Sequence, residues 1–101
     1  MAGKYEISEL AATDLKETWA YIAEHGFESA DRLLDELTQK FQILADNPTI
    51  GRERHDFVVG MQSFPYKKYV IYYFPIETGV EIYRVLHGAR DIEELFEDYK
   101  D

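Results

Sequence analysis

The sequence predicts an α+β fold, in which an N-terminal antiparallel helical hairpin packs on a small twisted antiparallel sheet and a short helix ends the chain. Apolar residues recur with the helical period through the first half, whereas the second half holds short runs rich in Tyr, Val, Ile and Phe. The connections between the predicted helices of the first half, and between the predicted strands of the second half, are short. A chain of 101 residues has the usual size of one domain with one core, so residues 1–101 are expected to form a single domain.

The first half opens with a short predicted strand, Lys4–Ile7, followed by a helix that Ser8 caps and Gly26 ends, running to about residue 25. Asp14 lies off the apolar face of this helix, and like most carboxylates on the helices it is expected to be solvated. The apolar face itself has spacings of 4, 4 and 3 residues and consists of Ala11, Leu15, Trp19 and Ile22.

A second helix is predicted from a cap at Ser29, with Asp31 in its first turn, to the Asn47-Pro48 pair. Three or four residues separate the two helices, so they should form an antiparallel hairpin with a shared apolar seam. The residues that keep the helical period in the second helix are Ala30, Leu33, Leu34, Leu37, Phe41 and Leu44.

The second half begins with a predicted loop over residues 48–60, which contains Pro48, Gly51 and Gly60 and no sustained period. Three strands follow at 61–64, Tyr69–Ile76 and 80–86, and links of four and three residues predict an antiparallel meander. The N-terminal strand is a candidate to extend one edge. A last helix is expected over 91–99, with one apolar face formed by Ile92, Leu95, Phe96 and Tyr99.

The amino-acid composition and the net charge limit where the protein is expected to act and what it is expected to bind. The chain has no cysteine, and residues 1–7 are too short and too polar for the apolar part of a signal peptide, so a reducing cytoplasm is the expected location. No stretch approaches a membrane span. The net charge of −9 disfavours direct nucleic-acid binding. Residues 51–90 nevertheless form a basic island, with six basic and four acidic side chains.

Motifs for metal, cofactor or nucleophile chemistry are missing from the sequence. The three histidines, His25, His55 and His87, are isolated from one another, no H-E-x-x-H pair occurs, and no glycine-rich phosphate loop is present. Ser8 and Ser29 are explained as helix caps. We therefore expect no metal and no cofactor.

The segment whose residues are best suited to binding or catalysis is RVLHGARD, residues 84–91, at the end of the last strand. Arg84, His87 and Arg90 gather cationic or titratable groups around Gly88, which permits a sharp turn. Structural explanations exist for each residue. Arg84 would pair with a carboxylate, His87 would hydrogen-bond a turn, and Asp91 would cap the last helix.

An ordered set of strings along the chain resembles the ParE branch of the ParE/RelE superfamily of toxins from bacterial type II toxin–antitoxin modules. These strings are ELAATDLKETWAYIAEHG, ADRLLDELTQKFQILADNP, Gly51-Arg52, G-x-x-S-F-P, YVIYYF and VEIYRVLHGARDIEELF. The resemblance covers about residues 5–96, and the family's helical hairpin on a twisted sheet agrees with the fold predicted from the residues.

The resemblance implies a toxin that inhibits DNA gyrase by binding and is neutralised by a ParD-like antitoxin, in modules that stabilise plasmids. It implies a protein-binding inhibitor rather than an enzyme. The residues expected to bind the target or antitoxin are Arg52, Arg54, Gln62, Arg84, His87, Arg90, Leu95 and Phe96.

Two alternatives stay open. The first is a RelE-like endoribonuclease that cleaves mRNA on the ribosome, with Arg84, His87 and Arg90 as its catalytic groups. Relatives usually carry Arg where this chain has Gln62, and the loss of that cation argues against cleavage. The second is a family member that binds an antitoxin but is no longer toxic.

Overall fold

The computed structural model describes residues 3–88, which form two helices packed on a five-stranded sheet. The elements in chain order are β1 (Lys4–Ile7), α1 (Glu9–Ala23), α2 (Phe27–Asp46), β2 (Arg52–Glu53), β3 (Gln62–Tyr66), β4 (Tyr69–Ile76) and β5 (Gly79–His87). The predicted α+β class is confirmed. The helix predicted over 91–99 lies outside the described residues. Neither described helix is long and apolar enough to cross a bilayer.

The sheet has the order β1-β5-β4-β3-β2. Strands β3, β4 and β5 form the predicted antiparallel meander. Strand β1 extends the edge beside β5, and its pairing is parallel, from Lys4 opposite Gly79 to Ile7 opposite Ile82. A parallel neighbour needs a long connection, which the helical hairpin and the meander together supply. The sheet is therefore antiparallel except at this edge.

The N-terminus of α1 shows the cap that the sequence predicts. Ser8 Oγ accepts the N–H of Ala11 at 3.0 Å and also donates to the carbonyl of Tyr83 at 2.7 Å. One hydroxyl thus satisfies a free helix amide and joins α1 to β5.

Two local predictions were wrong. The second helix begins at Phe27 with Gly26 as its N-cap, rather than after Ser29, because Gly26 adopts a φ of +143° that reverses the chain within three residues. Residues 48–60 are not wholly loop, since Arg52–Glu53 pairs with β3 as a two-residue edge strand. Two residues are too few to carry a period in the sequence.

Both faces of the sheet are buried, which explains the nearly continuous apolar run of β4. Successive residues of β4 point to opposite faces, so Ile71 and Tyr73 meet the helices while Tyr72 packs on the other side with Phe57 and Met61. The helices cover their face with Ala11, Leu15, Leu33, Leu37, Phe41, Leu44 and Ala45.

The hydroxyl of Tyr73 anchors the chain between α2 and β2. It accepts the N–H of Gly51 at 3.0 Å and lies 2.8 Å from the carbonyl of Pro48 and 3.0 Å from Oε1 of Gln62. Its single proton can serve only one of these two acceptors. Glycine is favoured at position 51, because a Cβ there would collide with the Tyr73 hydroxyl and lie 2.9 Å from the backbone oxygen of Ser63.

Replacing Tyr73 by Phe is expected to lower the free energy of unfolding by about 1–3 kcal/mol, since the Gly51 amide and one of the two acceptors, the Pro48 carbonyl or Oε1 of Gln62, lose their partner. Urea denaturation followed by circular dichroism measures the change. Tyr21→Phe is the matched control, because Tyr21 is 64% exposed and should change stability little. Equal stability of the two variants would contradict the anchoring role.

Candidate binding cleft

Helix α1 and the adjoining ends of β4 and β5 enclose a cleft of about 380 Å³. Helix α1 presents one face to it, and the β4–β5 hairpin forms the opposite wall. The lining residues are Asp14, Glu17, Thr18, Tyr21, Ile22, Lys68, Tyr69, Val85, Leu86 and His87. A concave surface with both apolar and polar groups is typical of a binding site.

A buried ion pair joins the two walls of this cleft. Oδ2 of Asp14 accepts Nε of Arg84 at 2.8 Å, and Oδ1 accepts Nη2 at 2.9 Å, which is a two-pronged contact. Oδ2 also accepts the backbone N–H of Val85 at 3.0 Å. Asp14 is 5% exposed. The hydrogen bonds with Asp14 raise the pKa of the Arg84 guanidinium above its already high ordinary value.

A β-bulge positions Arg84 for this contact. The register of β4 with β5 passes from Tyr72 opposite Arg84 to Tyr73 opposite Ile82, which leaves Tyr83 as an extra residue. The side chain of Arg84 and the N–H of Val85 both reach the same carboxylate. The structural explanation of Arg84, pairing with a carboxylate, is confirmed, whereas the prediction that Asp14 is solvated was wrong.

Aromatic rings form the part of the cleft near the strand ends. Tyr69 and His87 are register partners, and their rings meet edge to face with centroids 5.7 Å apart. Burial raises the pKa of the Tyr69 hydroxyl, with a smaller contribution from its electrostatic interaction with Tyr21. Just beyond His87 the pairing of the two strands continues, since the Gly88 N–H donates to the carbonyl of Lys68 at 2.8 Å.

The other predicted binding residues lie elsewhere. Arg52 is exposed on β2, which is the edge strand opposite β1 and is separated from β5 by β3 and β4. Arg54 follows it, with its guanidinium 4.4 Å from the centre of the Phe57 ring and 3.7 Å from Oδ1 of Asp56. Gln62 is 7% exposed and contacts Tyr73, so it lies inside the fold. Arg90, Leu95 and Phe96 lie outside the described residues.

Of the predicted set, His87 lines the cleft and Arg84 pairs with the lining residue Asp14. The cleft also contains residues that the sequence analysis did not select. Tyr21 is the clearest of these. The pattern that could have identified it is a helical face on α1 that carries polar groups as well as apolar ones, with Asp14, Thr18 and Tyr21 spaced 4 and 3 residues apart. Among residues 3–88, no three His, Asp or Glu side chains come together as a possible metal site.

Comparison with known proteins shows similarity both to a sequence family and to solved structures. The model of a family described as "ParE toxin of type II toxin-antitoxin system, parDE" matches residues 5–92. A solved structure described as "Chromosomal ParDE TA system from P. aeruginosa" is similar with a TM-score of 0.71 at 16% identity, over 85% of this chain and 96% of that chain. At this identity the likeness shows the fold alone. No curated protein matches the sequence.

Proposed function

Because the chain belongs to the ParE toxin family of type II toxin–antitoxin systems, we propose that it inhibits DNA gyrase by binding and that a small cognate antitoxin neutralises it. The cleft between α1 and the β4–β5 hairpin is the proposed contact surface. Its aromatic and apolar lining suits a protein partner, because such side chains dominate the energetics of protein interfaces. The proposal includes a cytoplasmic location and requires no metal or cofactor.

The observation that supports binding rather than catalysis is the pairing of Arg84 with Asp14. Cleavage of RNA through its 2′-hydroxyl needs a base, an acid and cations arranged around the phosphate. Here the guanidinium of Arg84 directs two N–H groups to Asp14, and the neutral, buried Gln62 stands where relatives usually carry Arg. Arg84, one cation that such a reaction would use, is therefore already paired with Asp14. A second cation is missing because Gln62 stands in its place.

We expect the double change Lys68→Ala and His87→Ala to raise the concentration of protein that half-inhibits gyrase supercoiling by about tenfold, which is the cost of removing an interface contact of moderate strength. Lys16→Ala is the matched control, because Lys16 is an exposed lysine of α1 outside the cleft lining. Failure of the unmodified protein to inhibit purified gyrase would overturn the gyrase proposal.

The endoribonuclease remains the second candidate, because Lys68 and His87 share one cleft and could contact a phosphate there. Cleavage of ribosome-bound mRNA that His87→Ala abolishes would establish it in place of gyrase inhibition. A non-toxic, antitoxin-binding member would show neither activity.

The antitoxin part of the proposal has its own test. Co-expression of this chain with the small protein encoded beside it should give a complex that survives gel filtration at micromolar concentration. Separate elution of the two proteins would count against neutralisation by direct binding.

A further inference from the structure

Two aromatic rings are stacked where the helical hairpin turns, and one of them is exposed. Trp19 of α1 and Phe27 of α2 have ring centroids 5.6 Å apart and an interplanar angle of 8°. Phe27 is 68% exposed, so one side of the stack faces solvent. Trp19, which the sequence pattern placed in the apolar core face of α1, is half-buried and contributes to this stack instead. We call Trp19, Phe27 and Asp31 the hairpin tip.

The third member of the hairpin tip supplies a carboxylate beside the rings. Oδ1 of Asp31 accepts the indole N–H of Trp19 at 2.9 Å. A carboxylate accepts about four hydrogen bonds, so Asp31 retains capacity for a further donor. Asp31 is itself exposed.

The charge around the hairpin tip is mainly negative, with Lys16 and Arg32 at its borders. Residues 17–31 contain no Lys or Arg and four acidic residues, Glu17, Glu24, Glu28 and Asp31. Arg32 comes next, about 100° further round the helix. Its charge acts on Glu36, whose pKa is lowered chiefly by its hydrogen bond with Lys67 and in smaller part by Arg32. The side of α2 that carries the hairpin tip is therefore acidic.

An exposed aromatic face beside a carboxylate has the chemistry of a guanidinium site. A planar guanidinium stacks on an aromatic ring while its N–H groups pair with a carboxylate, which the compact ammonium of lysine does less well. The negative charge of the tip favours a cationic partner and disfavours an acidic one. We propose that the hairpin tip binds an arginine side chain presented by a segment of a partner protein, at a surface separate from the cleft.

The test uses the intact chain and a defined probe, the acetylated and amidated peptide (Gly-Arg)4, with (Gly-Lys)4 as its counterpart. Trp19 is the only tryptophan of the chain, so its fluorescence reports binding at the tip directly. We expect a saturable change, with the arginine peptide binding about 2- to 5-fold more tightly than the lysine peptide. Phe27→Ser and Asp31→Asn should each weaken binding of the arginine peptide by a similar factor.

Two matched controls separate a specific site from general attraction to an acidic protein. Glu9→Gln removes one exposed carboxylate from α1, and Val59→Ser removes a side chain that is 86% exposed and far along the chain from the tip. Neither should weaken binding. Equal affinity for the two peptides, or a loss in Glu9→Gln equal to that in Asp31→Asn, would overturn the proposal.

A second copy of the chain is the competing occupant, since its exposed Arg52 could supply the guanidinium. A change of Trp19 fluorescence with protein concentration alone, together with a dimer in sedimentation that Phe27→Ser abolishes, would assign the tip to self-association and reject a separate partner. The measurements involve no gyrase or antitoxin, so their outcome is independent of the proposed toxin activity.

Discussion

Replacing Asp14 by Asn is expected to lower the free energy of unfolding by about 3–5 kcal/mol, because the change leaves the Arg84 guanidinium inside the fold without its counter-charge. Asp14 is 5% exposed and the side chain of Arg84 14%. Asn has nearly the same shape as Asp, so the loss reflects charge and hydrogen bonding rather than a cavity. Since domains of this size have stabilities of about 5–15 kcal/mol, the variant should unfold at a much lower urea concentration.

Asp35→Asn is the matched control for this change, because the same substitution there removes an exposed carboxylate of α2. It should change the stability by less than about 0.5 kcal/mol. The double variant Asp14→Leu with Arg84→Met should recover much of the loss, since apolar residues of similar size often replace a buried ion pair without harm. Recovery should be incomplete because the N–H of Val85 stays unpaired. A loss below about 1 kcal/mol in Asp14→Asn would refute this account.

Phe41→Ala is expected to lower the free energy of unfolding by about 3–5 kcal/mol, as is usual when a fully buried aromatic side chain is truncated. Phe41 has no exposed surface and belongs to the core cluster between the helices and the sheet. Its ring meets the ring of Tyr5 edge to face, with centroids 5.6 Å apart. The truncation therefore also loosens the parallel strand β1, whose amides should exchange hydrogen faster.

Ile43→Ala provides the comparison on the same helix, because Ile43 is 41% exposed. We expect a change of about 1 kcal/mol or less, since most of the apolar surface of a side chain at such a position stays in water in either variant. Similar losses for Phe41→Ala and Ile43→Ala would show that α2 does not pack on the sheet as described.

The sequence predicted features that depend on local spacing. The helical period identified both helices, Ser8 was identified as the cap of α1, and the short links between Tyr- and Val-rich runs predicted the meander of β3, β4 and β5. Each of these follows from contacts a few residues apart or from a turn that forces neighbouring strands together, and such information is present in any short window of sequence.

Features that depend on contacts between distant parts of the chain were decided only by the tertiary structure. Asp14 and Arg84 are 70 residues apart, and their pairing depends on a bulge at Tyr83 that no local pattern marks. The parallel orientation of β1 could be known only once the position of β5 in the sheet was known. The helical period alone could not distinguish Trp19, which belongs to the hairpin tip, from a residue of the core. Periodicity indicates on which side of a helix or strand a residue lies. What lies opposite that side depends on how distant elements pack, and packing determined that Asp14 of α1 is buried while Phe27, stacked on Trp19, is exposed.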